Sequence, residues 1–376
     1  MKAIRSILGD PRIYVPVLFL ALFELFMQTG LYKHLLQPRS YADNVNRILR
    51  LAGTTRDPSA LILGTSVAYQ GIQVPYLNQL LEKDGIVVES GACEGARLET
   101  QHLIMRNLLT HMPNVKTIIH FVEASHPATA RDHMDLANRS MVAQFPRSET
   151  LYVLHGHNYQ LSYSDYLFFY IRTLTYQKDF RDFVLDPLDR FKGIGRRHRE
   201  LNTGIVYENK YDYKLSAFPA TNAKECVEAA LKADIAKMGK DVTDEHHRRA
   251  VLQTCNIVVQ DPLNGPGHAQ WSSLYFDRLK FTYKDITDRG IKVIVVFAPY
   301  AQIIQDLNAE YRMKVWNDGL AGAITPENLN TVDLRHSLDG PKNSDYYYDT
   351  IHLNRQGATL LTQALADKIR PILKAK

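Results

Sequence analysis

Ala60-Leu61-Ile62-Leu63-Gly64-Thr65-Ser66-Val67 places four apolar residues, a glycine and a serine in sequence. A short apolar run that stops at glycine has the pattern of a strand buried on both faces, as in a parallel sheet covered by helices. Outward from it, Ile86-Val87-Val88 predicts a second strand and residues 115–122 (VKTIIHFV) a third. Residues 291–297 (IKVIVVF) form the most strand-like run in the chain, and 329–334 a short fifth strand. The spacing of apolar residues predicts helices over 76–83, stopped by Asp84-Gly85, over 97–111, and over 355–373. Strands alternating with helices imply an α/β fold, a parallel sheet with helices on both faces. Ligands of such sheets sit outside the carboxyl ends of the strands. That puts Gly64, Gly91, Glu123, Pro299 and the loop after Leu334 around one crevice.

Ser66 follows the first strand directly, so its hydroxyl would project from the sheet end, with the next backbone N–H groups facing a developing oxyanion. The same Gly-Thr-Ser is equally the pattern of a tight turn with a capping serine. Asp349-Thr350-Ile351-His352-Leu353-Asn354 precedes the last helix. Asp and His three residues apart face the same way on one turn: His352 would take the serine proton, and Asp349 would fix its tautomer and stabilise the imidazolium. By itself Asp-x-x-His is also a helix cap with a surface histidine. The sheet joins the two elements, because Ser66 ends the first strand and the Asp-His pair follows the last.

These blocks resemble the SGNH (GDSL-like) hydrolase superfamily: Gly64-Thr65-Ser66 its first block, Asp349-Thr350-Ile351-His352-Leu353-Asn354-Arg355-Gln356-Gly357 its last, and Gly91-Ala92-Cys93-Glu94-Gly95-Ala96-Arg97 its glycine block. The resemblance covers about residues 58–125 and 272–373. It implies a flavodoxin-like three-layer α/β/α sandwich with a five-stranded parallel sheet, a Ser66–His352–Asp349 triad, and oxyanion donors from Ser66 and Gly95. The family's third block supplies an asparagine, whereas this chain reads Phe121-Val122-Glu123-Ala124-Ser125-His126. Either Ser125 or His126 replaces that donor, or the oxyanion hole has two donors only. A membrane-anchored domain lacking that asparagine is similar to the branch of the teichoic-acid D-alanylation protein DltD and the alginate O-acetylation proteins. The resemblance implies a serine esterase or O-acyltransferase acting on an envelope glycan or lipid, with a membrane-bound O-acyltransferase as a partner. The alternative is a non-catalytic partner built on the same fold.

Residues 13–31 (IYVPVLFLALFELFMQTGL) form an apolar stretch of about 28 Å as a helix, interrupted by Glu24 and Gln28. The expectation is a transmembrane anchor, after a cytoplasmic tail at 1–12 and before a juxtamembrane linker and helix at 32–57. The remaining domain, 58–376, would then lie on the periplasmic face of the inner (cytoplasmic) membrane. Between about 126 and 271 the strand–helix rhythm lapses, which reads as one largely helical insertion on the crevice rim. Helix-like segments lie at 222–238 and 244–255. An aromatic run at 161–176 reads as a core helix or, beside an anchor, as a surface for acyl chains.

A net charge of +5, from 45 Lys and Arg against 40 Asp and Glu, is too thin for a nucleic-acid partner. Cys226 and Cys255 can form a disulfide in an oxidising compartment, or all three cysteines, Cys93 included, are buried thiols. His155, His157, His198, His246, His247 and His268 lack the carboxylate–histidine spacing of a metal site, so neither metal nor cofactor is expected.

Overall fold

The computed structural model describes residues 11–51, 57–202, 209, 211–233, 243–259, 268–308 and 310–375. Strands β1 (Ala60–Leu63), β2 (Val88–Ser90), β3 (Thr117–Val122), β4 (Lys292–Phe297) and β5 (Leu329–Asp333) pair in parallel throughout. Their order is β2-β1-β3-β4-β5. All of β1 is buried, and in β3 and β4 only the first residue is not, which is why these three are apolar runs without alternation. One face of the sheet, with Ile62, Phe121 and Val296, shares a core with Leu77 of helix Val74–Leu81 and with Leu361 and Leu365 of helix Arg355–Lys374. On the other face Phe297 meets Trp316 of helix Glu310–Ala323, and His120 bonds Tyr283 of helix His268–Thr287. Helices therefore cover both faces, consistent with a three-layer sandwich.

The second strand begins two residues later than the apolar run 86–88 predicts. The Val87 carbonyl is engaged by the N–H groups of Ser59 and Ala60, and ladder pairing starts at Val88 opposite Ala60. As an edge strand β2 carries Glu89 and Ser90, which no apolar pattern marks.

The chain forms two compact units, and the division differs from a single 126–271 insertion. One unit draws on 1–47, 133–152 and 160–205, the other on 48–132, 153–159 and 206–376.

In the first unit the N-terminal helix runs Pro11–Gln28 and stops before Gly30, whose φ of 80° is left-handed. Its last turns are packed: Phe23 lies 4.9 Å from Phe180, and Met27 is buried with Tyr32, Leu36, Ala42 and Tyr176. The Glu24 carboxylate accepts the N–H groups of Arg172 and Thr173, both at 2.8 Å, and so caps helix Arg172–Leu185. Gln28 donates to the Tyr170 carbonyl at 2.9 Å. Among the described residues no helix is long and apolar enough to cross a membrane. The expectation of a transmembrane helix over 13–31 finds no support here: Glu24 and Gln28 serve the fold of this unit, and the helix closes three residues early. Its earlier turns leave Val17, Leu18, Phe19 and Leu20 in solvent, Phe19 at 65%. The aromatic run splits into helix Tyr163–Tyr170, with a Ser162–Asp165 capping box, and the start of Arg172–Leu185. Phe169 and Tyr176 enter the core, and Tyr163 stays exposed.

In the second unit, helices Ala223–Lys232 and Thr243–Val259 are joined by a Cys226–Cys255 disulfide, with Cα atoms 5.4 Å apart. Both cysteines lie in the core cluster on the face of Ile62 and Phe121. Cys93 is buried outside the disulfide. Of the expected 222–238 segment, 234–238 lies outside the described residues, as does 1–10 of the expected tail.

Candidate active site

The turn from β1 into helix Ser66–Gly71 is sharp. A Cβ on Gly64 would come within 2.7 Å of the Ala68 Cβ and 3.0 Å of the Phe121 Cβ, so the position requires glycine. Thr65 caps the helix, its Oγ1 accepting from Val67 N, and Ser66 follows as the first helical residue. That sets the serine at the carboxyl end of β1.

The last loop is fixed from its far side. Asn354 is 3% exposed; its Oδ1 accepts Gly357 N at 3.0 Å, capping helix Arg355–Lys374, while its Nδ2 donates to the Asp345 carbonyl at 2.7 Å. A Cβ on Gly357 would lie 2.0 Å from the Tyr346 carbonyl oxygen, so this motif glycine is also a close-approach position. Asp349, 2% exposed, accepts the N–H groups of Ile351 at 2.9 Å and His352 at 2.8 Å through Oδ1. Its Oδ2 lies 2.8 Å from His352 Nδ1, and His352 Nε2 lies 2.8 Å from Ser66 Oγ. The carboxylate makes Nδ1 the protonated nitrogen and leaves Nε2 to accept from the serine. Burial pushes His352 down, but the charge and hydrogen bond of Asp349, followed by the charges of Glu123 and Glu94, raise it above the ordinary histidine value. The three residues singled out in the sequence are brought together in hydrogen-bonding order.

Ser66 opens into a pocket of about 180 Å³. Gly95 lines it with a left-handed φ of 71°, in a turn closed by Ala96 N donating to the Cys93 carbonyl at 3.1 Å. Glu123, at the end of β3, stands on the same wall. Its Oε1 accepts from Thr65 Oγ1 at 2.7 Å and from His126 Nε2 at 3.0 Å, and its Oε2 accepts from the Tyr300 hydroxyl at 2.7 Å. Burial alone would raise its pKa, but His126 beside it and these donors hold it down at about 2. An ionised carboxylate on this wall accepts hydrogen bonds and cannot donate them. Ser125 Oγ lies 3.2 Å from the Tyr300 hydroxyl and does not line the pocket, and both ring nitrogens of His126 face Glu123.

The other histidines go elsewhere. His157 is buried against His102 at 3.0 Å, and His247 Nε2 bonds the Tyr348 carbonyl at 2.6 Å between the rings of Tyr213 and Tyr348. His155, His198 and His246 are exposed, and His268 begins helix His268–Thr287. Among the described residues no three metal-type ligands cluster. Sequence reasoning missed Arg278, Tyr159 and Glu99 on the pocket wall. Nothing local marks them: Tyr159 and Glu99 are 60 positions apart and Arg278 is one cation in an amphipathic helix.

No family model matches the sequence, and no curated protein matches it.

Proposed function

We propose that the chain is a serine esterase or O-acyltransferase of the SGNH class, acting on ester bonds through Ser66, His352 and Asp349. The observation that carries this reading is the unbroken relay from Ser66 Oγ through His352 to Asp349, with 2.8 Å at each link, beside a pocket. The strand order is the flavodoxin-like 2-1-3-4-5, which agrees with it. Ser66 Oγ attacks the ester carbonyl carbon as its proton passes to His352 Nε2. The oxyanion of the tetrahedral intermediate faces the backbone N–H groups of Ser66 and Gly95. Collapse returns the proton from His352 to the departing alkoxide and leaves an acyl-Ser66 ester. Water or an acceptor hydroxyl, deprotonated by His352, then takes the acyl group and restores the serine.

The Glu123 carboxylate bears on the outcome. The lost asparagine donor costs on the order of 2.7–4 kcal/mol of transition-state stabilisation, and a fixed negative charge on the same wall adds to the penalty. A positioned acceptor hydroxyl offsets such losses through orientation, which favours transfer to an envelope glycan or lipid over general hydrolysis. The same carboxylate favours the second reading, a non-catalytic partner of a membrane-bound O-acyltransferase. We place the protein at the inner membrane with the sheet unit in the periplasm. The apolar side chains left in solvent between Ile13 and Leu22 support membrane association, and the Cys226–Cys255 disulfide supports an oxidising compartment. The test is labelling by a fluorophosphonate serine probe: the expected result is labelling of the wild-type chain and none of Ser66→Ala. An unlabelled wild type, with Ser66→Ala restoring the envelope modification in a deletion strain, favours the partner.

A further inference from the structure

Arg278 sits on helix His268–Thr287 and is 3% exposed, yet it lines the pocket that holds Ser66 and Gly95. Its Nε donates to the His157 carbonyl at 2.7 Å, and its guanidinium carbon lies 3.8 Å from the centroid of the Tyr159 ring. Its buried Nη2 meets no acceptor among the described residues. Three other buried arginines are ion-paired: Arg190 with Asp179 at 2.9 Å, Arg197 with Asp43 at 2.5 Å, Arg335 with Asp333 at 2.7 Å. A buried cation lacking such a partner is held at a cost, because its desolvation is not repaid. The two carboxylates of the pocket wall are engaged elsewhere, Glu99 with the Tyr159 hydroxyl and Glu123 with Thr65, His126 and Tyr300.

We propose that Arg278 binds an anionic oxygen group of the substrate, a carboxylate or phosphate carried a few bonds from the ester carbonyl, and so determines specificity at Ser66. The proposal rests on Ser66 being the nucleophile. A guanidinium with an unused Nη2 donor matches such oxygens in geometry as well as charge. Arg97 and Arg131, on the same walls, add positive field. The cavity of about 180 Å³ holds roughly six waters' worth of volume, enough for a small charged group beside the reacting carbonyl. Tyr159 keeps the guanidinium flat against its face while the ligand approaches.

The test uses the full chain and two readouts. Inorganic phosphate and succinate are titrated against the melting temperature of wild type, Ser66→Ala, Arg278→Met and Arg278→Lys. At least one anion is expected to raise it for wild type and Ser66→Ala, less for Arg278→Lys, and not for Arg278→Met. Phosphate alone acting identifies the group as a phosphate, succinate alone as a carboxylate. Without ligand, Arg278→Met is expected to melt no lower than wild type, since it removes an unpaired charge. A purely structural arginine would instead give a lower melting temperature and leave any anion effect intact, which overturns the proposal, as does an anion effect absent from wild type. The second readout is the kcat/KM ratio of 4-nitrophenyl hemisuccinate to 4-nitrophenyl acetate. If the group is a carboxylate, the ratio is expected to exceed wild-type parity at least tenfold and to fall to near one in Arg278→Met. Anion shifts that depend on Arg278 without fluorophosphonate labelling of Ser66 support the anion site and strike the serine-enzyme reading alone.

Discussion

Of the imidazole–carboxylate pairs in the sheet unit, His352–Asp349 and His102–Asp285 are both partly or fully buried, yet only the first is fitted to move a proton to or from a neighbouring hydroxyl. His352 has Asp349 on one nitrogen and Ser66 Oγ on the other, at the edge of a pocket. His102 has Asp285 on Nε2 at 3.1 Å, but its Nδ1 meets His157 and Thr282, and the ring is fully buried. The carboxylates differ as much as the rings. Asp349 is held by two backbone N–H groups and by His352, so its charge acts on that ring. Asp285 also pairs with Arg106 at 2.7 Å and Arg289 at 3.3 Å, which take up its charge. The outcome is opposite in sign: burial dominates at His102 and lowers its pKa, while Asp349 overcomes burial at His352 and raises it. A carboxylate next to a histidine makes a base only when no cation neutralises it and the far nitrogen faces a reacting group.

The comparison breaks most readily at its largest expected effect. Replacing His352 with alanine is expected to lower ester turnover by about a million-fold, as for a triad acting as a unit, whereas His102→Leu is expected to leave kcat/KM within about twofold of wild type. Comparable losses from both would mean that the pocket does not distinguish the two pairs. Asp349→Asn is next, with a loss of about ten-thousandfold in kcat in steady-state assays. Its signature is also in pH. In the proposed mechanism neutral His352 is the active form, and its pKa is raised, so wild-type kcat/KM is expected to climb with pH to a midpoint above about 6.5. Removing the Asp349 charge moves that midpoint down.

Stability sharpens the contrast from the other side. His102→Leu strips a buried partner from His157 and Asp285, with an expected loss of about 1–3 kcal/mol in denaturant titration; an unchanged midpoint would make that network dispensable. The smallest effect is reserved for Glu123→Gln. Glu123 contributes to raising His352 behind Asp349, so the pH–rate midpoint is expected to fall by less than in Asp349→Asn, and a larger fall would reverse their ranking.

The two pairs also differ in how far the sequence discloses them. Asp349 and His352 are three residues apart before a helix, a local pattern, and β1, β3 and β4 are apolar runs because both their faces are covered. His102 and Asp285 are 183 positions apart, and only the packing of helix Leu98–Leu109 near helix His268–Thr287 makes them neighbours. The same holds for Glu123 with Thr65 and Tyr300, and for Arg278 with Tyr159: each partner is unremarkable in its own segment. The N-terminal helix misled for a related reason. Glu24 interrupts an apolar stretch, and its use as the cap of a helix beginning at Arg172 has no local trace.

The Cys226–Cys255 bond closes a loop spanning 29 positions within the core of the sheet unit. In the chain-entropy view such a crosslink is worth about 3–4 kcal/mol, a large share of the 5–15 kcal/mol by which a typical domain is stable. Copies retained where thiols stay reduced would therefore begin life nearer the unfolding threshold and be cleared by quality-control proteolysis. Those exported before the bond closes would mature into long-lived molecules. Under the proposed periplasmic location, the crosslink would act as a sorting device, favouring the molecule where thiols are oxidised.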